Sequence, residues 1–140
     1  MTPMTSNQEP ADLGVWLRLL ALLLVAWEPV AFAMVAAGAT NAIGVRGTPV
    51  VLVLVARLAA TALCVAAGRA VLDRRPSAPA LVKGALIASA AVQIFATLTP
   101  FFPSNRLPGQ APFVAGATAI YYGAWLGYMW RARRVRDIFA

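Results

Sequence analysis

Histidine is absent from the 140-residue chain, a single cysteine is present, and Asp and Glu together number 5. Without histidine the commonest metal ligand and general base is missing. One cysteine, Cys64, excludes an intrachain disulfide, a thiol redox pair and a cysteine metal cluster. No metal, no cofactor and no catalytic constellation is therefore expected, and an enzyme is the weakest of the function classes. The shortage of acids is equally selective. Glu9, Asp12, Asp73 and Asp137 fall near the ends or in a gap, which leaves Glu28 as the carboxylate inside an apolar stretch. Charged residues of both signs make up 12% of the chain, too few to cover a soluble domain of this length with polar surface.

Apolar residues, by contrast, make up 61%. They fall into four runs, about 14–38, 48–70, 81–99 and 112–130, each near the roughly 20 residues that cross a hydrocarbon core about 30 Å thick. The runs are continuous and lack the alternation of barrel strands. The expectation is an all-α fold, a four-helix transmembrane bundle at 14–131, with a short N-terminal tail at 1–13 and a basic tail at 131–140. Residues 19–26 resemble the apolar region of a signal peptide and Ala31-Phe32-Ala33 a cleavage site. The preceding segment, however, carries Glu9 and Asp12 and no Lys or Arg, so the first run reads as a retained helix.

Basic residues orient the spans. Arg69, Arg74, Arg75 and Lys83 flank the gap between runs two and three, and Arg131, Arg133, Arg134 and Arg136 follow run four; the other two gaps hold Arg46 and Arg106. By the positive-inside rule both termini and the loop at 73–80 belong in the cytoplasm, with 40–47 and 100–111 outside. The net charge of +7 is on this reading a topology signal, and no nucleic-acid partner is expected. The four C-terminal arginines directly follow Trp130, a placement suited to anionic lipid at about 1 kcal/mol per basic residue. Pro100-Phe101-Phe102-Pro103 offers an aromatic anchor at the outer interface.

Two full charges stand out deep inside the apolar runs, away from their ends, Glu28 in the first and Arg57 in the second. Such residues are costly, about 2.5–3.5 kcal/mol for a central Arg or Asp, and face a bundle interior, a partner or a water-filled cavity. Glu28 lies about 21 Å from the start of its run and Arg57 about 20 Å from the end of its own, at about 1.5 Å per residue. Antiparallel neighbours would bring them level, and an ion pair is expected. Gln93 and the pair Tyr121 and Tyr122 fall near the same depth, which predicts one polar focus at mid-membrane. Pro29 should disturb the first helix there by removing the bond to the carbonyl of Val25. Gly123 and Gly127 form a GxxxG pair suited to close packing, to a homodimer or to another membrane protein.

The ends of the chain also carry a resemblance. Gly14-Val15-Trp16-Leu17, the Arg74-Arg75 pair followed by prolines, and Arg133-Arg134-Val135-Arg136-Asp137-Ile138-Phe139 resemble signatures of the YdgK-like family of small four-span bacterial inner-membrane proteins. Val15, Ala132 and Ile138 depart from the pattern. The resemblance implies a multi-pass protein of the bacterial cytoplasmic membrane and no established activity. Two function classes stand first. One is a non-enzymatic accessory or interaction component of the bilayer; the other is binding or transport of a small anionic or amphipathic molecule at the level of Glu28, Arg57, Gln93 and the tyrosines.

Overall fold

A computed structural model describes residues 12–100 and 107–139. The expectations for the N-terminal tail up to residue 11, for Phe101 and Phe102, and for Arg106 lie outside those residues. The described chain is helical throughout, without strands: α1 (Gly14–Arg46), α2 (Thr48–Leu72), α3 (Ala78–Leu98), α4 (Ala111–Arg131) and α5 (Arg133–Phe139). Long runs of Ala, Leu and Val favour this outcome, because a backbone in an apolar medium has to satisfy its hydrogen bonds within the segment. Helices α2, α3 and α4 each take a proline in the first turn, Pro49, Pro79 and Pro112, where its missing N–H would have had no helical partner.

Helices α1, α2 and α3 are long and apolar enough to cross a membrane. Helix α4 has the length, 21 residues or about 31 Å, but its glycines, tyrosines and tryptophans lower its hydropathy, and it does not join the other three on composition. The first helix also differs from expectation. It continues to Arg46 instead of ending near residue 38, so that segment 40–46, read as part of a loop, is helical. The polar residues Thr40 and Asn41 weaken the apolar run without breaking the helix, because nothing before Gly47 stops it. Gly47, at φ +69°, is the whole connection between α1 and α2, a positive φ that a side-chain-bearing residue rarely adopts.

The helices pack in chain order, α1 on α2, α2 on α3 and α3 on α4, and α1 makes no extended contact with α4. Two contacts tie the helix ends together. Arg46 donates to the carbonyl of Pro100 at 2.9 Å, joining the end of α1 to the end of α3. At the opposite pole the side chain of Arg134 lies over Gly14, and Val135 and Phe139 of α5 are buried in the core. The expected C-terminal tail is thus in part a docked amphipathic helix, with Arg133, Arg134 and Arg136 exposed. Seven residues with four charges resemble a tail in sequence; the apolar positions 135, 138 and 139 are what fold it back.

Burial is uneven along the spans. The main core runs through Leu17, Leu20 and Leu24, Cys64 and Val71, Val82 and Leu86, and Met129, all in the half nearer α5. The closest approach lies there too. A side chain begun at Gly68 would collide with Val25 and press on the backbone of Ala21, so α1 and α2 meet at this glycine. Toward the other pole the buried residues are few and small, Ala39, Val50, Val53, Ala96 and Ala115 among them.

Candidate functional site: a polar floor beneath an open cleft

The boundary between the well-buried and the sparsely buried half is where the polar residues gather. In α1 a π-helical turn spans Leu23–Trp27, and the backbone N–H of Glu28 reaches back to the carbonyl of Leu23. Pro29 explains the widened turn, because it can donate nothing to Val25 and its ring presses on that carbonyl. The expected disturbance at Pro29 therefore takes the form of a π turn that carries Glu28 at its end, a feature common at functional sites.

Glu28 is 6% exposed and Tyr122, from α4, 3%. The Tyr122 hydroxyl donates to Glu28 Oε1 at 2.7 Å, and Gln93 Nε2, from α3, donates to the same hydroxyl at 2.5 Å. Three helices are thereby linked through one phenol. A hydrogen bond to a buried carboxylate is among the stronger kinds, and it is what spans the gap between α1 and α4. The expected convergence of Glu28, Gln93 and Tyr122 on one level is present, and Tyr121 stands beside them with its ring at 84° to that of Tyr122 and centroids 5.0 Å apart.

Two spaces adjoin this chain of bonds. The inner one, about 10 Å³, has room for about one water molecule and is bordered by Glu28, Arg57, Thr61, Ser89 and Gln93. Glu28 and Arg57 both border it, so the two charges share a level, while the hydrogen bond of the carboxylate goes to Tyr122. Behind it Cys64 and Ser89 are bonded at 3.0 Å, Sγ to Oγ, which accounts for the lone thiol as a core partner. The outer space is an open cleft of about 540 Å³ between α1 and α4. Leu23, Trp27 and Ala31 form its α1 wall; Ala117, Thr118 and Tyr121 form its α4 wall; Glu28, Gln93 and Tyr122 form its floor.

The residues expected at the site thus divide. Glu28 and Gln93 border both spaces, Tyr121 and Tyr122 the cleft, and Arg57 the inner cavity. Trp27 was not among the expected residues. Its signal was available in the spacing of positions 23, 27 and 31, which places three side chains on one helical stripe beside Glu28. The C-terminal arginines sit at the far pole with α5 and take no part. Gly123 and Gly127 lie outside the site as well, and no atom stands within 4 Å of where a side chain would begin at either.

Comparisons of the chain with protein-family models, with curated proteins and with solved structures give no match. Its class is accordingly defined by fold and site: an all-helical protein with three helices fit to span a membrane and a carboxylate-floored cleft.

Proposed function

We propose that this protein is a four-span component of a bacterial cytoplasmic membrane that binds an amphipathic molecule in the cleft between α1 and α4. The observation that carries the reading is the cleft itself, about 540 Å³ with apolar walls and the Gln93–Tyr122–Glu28 bonds across its floor. That volume falls in the range of small-molecule sites, and the mix of apolar walls with a few convergent polar groups is their usual composition. An apolar tail would lie between Trp27 and Thr118, with its polar end at Glu28.

The fourth span is α4. It has the length, it packs along α3, and it ends in Trp130 and Arg131, an aromatic and a basic residue suited to a membrane interface. With the basic residues weighed as above, both termini and the turn at 73–77 face the cytoplasm. The resemblance of the chain's ends to YdgK-like proteins agrees with this placement. An alkaline-phosphatase fusion at Ser77 is expected to be inactive and one at Gly109 active; an active Ser77 fusion would invert the topology.

A second reading, an accessory component that docks on a membrane partner or on its own copy, has one observation of its own: the Gly123 and Gly127 face is open. Native mass spectrometry of the gently extracted protein separates the two. A bound small molecule retained by the native chain and lost in Ala117→Trp, which fills the cleft wall, supports the ligand site. A larger assembly that dissociates in Gly123→Leu, with no small-molecule adduct, supports the docking component and overturns the first reading.

A further inference from the structure

Resting on the reading of the cleft as a ligand site, we propose that its occupant is an amphipathic organic cation. The floor supplies one ionisable group of full charge, the Glu28 carboxylate, and none of the residues that line the cleft is Lys or Arg. The intramembrane cation, Arg57, borders the smaller cavity and not the cleft. A ligand in the cleft therefore meets the negative charge and no basic residue of the lining.

The walls add a second, independent preference. Trp27, Tyr121 and Tyr122 contribute three aromatic rings to the same space as the carboxylate. Ring faces carry negative potential, and a cation within about 6 Å of a ring centroid is attracted, most strongly by Trp. The two tyrosine rings lie at 84° to one another, so they cannot both lie flat along one wall and instead bound the space from two sides. Trp27 is 53% exposed, which leaves its ring accessible to a ligand. A carboxylate with aromatic walls is the combination that recognises organic ammonium groups, and the remaining lining, Leu23, Ala31 and Ala117, suits an apolar body. An anion in the same place would face the carboxylate, with no basic residue in the lining.

Tetraphenylphosphonium and tetraphenylborate test this directly, since they share a shape and differ in the sign of their charge. Titration calorimetry of the full chain in a neutral detergent would measure both, with Ala117→Trp subtracting uptake by the micelle. The phosphonium is expected to bind at least tenfold more tightly than the borate. That ratio should fall to near one in Glu28→Gln and by several-fold in Trp27→Leu, a change at a half-exposed position. Should Glu28→Gln fail to fold, an unchanged ratio in Trp27→Leu would overturn the proposal. Equal affinities that Ala117→Trp abolishes would refute charge selection while leaving the cleft a ligand site, and a preference for borate would refute it outright. Binding of neither ion above the Ala117→Trp background would remove the ligand-site reading itself.

Discussion

Gly68→Leu is expected to destabilise the protein by about 3 kcal/mol or more, the upper end of what overpacking costs in a well-filled core. Even the first carbon of a side chain at this position would overlap Val25 and crowd both Leu24 and the carbonyl of Ala21. Two of these neighbours are fixed, since Ala21 offers backbone and Leu24 is itself buried. Helix α1 would have to move away from α2, and the core through Leu20, Leu24 and Cys64 would open with it. Gly68→Ala should show a smaller loss in the same direction. Thermal unfolding in detergent reads both, and a Gly68→Leu protein that melts with the native chain would show that the contact contributes nothing.

The second large effect is expected at Tyr122. Tyr122→Phe keeps the ring and removes the hydroxyl that receives a bond from Gln93 and gives one to Glu28. A buried carboxylate then loses its donor, for which about 1–3 kcal/mol is a fair figure, larger than the roughly 0.6 kcal/mol of an average hydrogen bond between membrane helices. The effect should depend on its partner. In the background of Glu28→Gln the same substitution should cost about 1 kcal/mol less, because the charge that made the bond strong is gone. Strictly additive losses in a double-mutant cycle would mean that the two residues act independently.

Several parts of this arrangement were legible from residue order. Run lengths and the placement of proline and arginine pointed to the long helices, and a simple rise of about 1.5 Å per residue placed Glu28, Arg57, Gln93 and Tyr122 at a common depth. Depth is one coordinate and direction is another. In an apolar helix the faces toward lipid and toward protein are both built from Ala, Leu and Val, so periodicity does not tell which way Arg57 turns. Its place beside the inner cavity, away from the cleft, depends on packing among α1, α2 and α3. Helix α4 shows the opposite difficulty: Tyr121, Tyr122 and Trp125, the residues that make it interesting, are also those that lower its hydropathy. The GxxxG pair drew attention to Gly123 and Gly127, yet the glycine at which two long helices meet is Gly68, which has no such motif around it.

The one-residue connection at Gly47 has a consequence for how the protein is made. Helices α1 and α2 have no slack between them, so on the proposed reading of both as spans they enter the bilayer as a single hairpin instead of one after the other. Glu28 and Arg57, one on each arm of that hairpin, then leave water in the same event and with opposite sign.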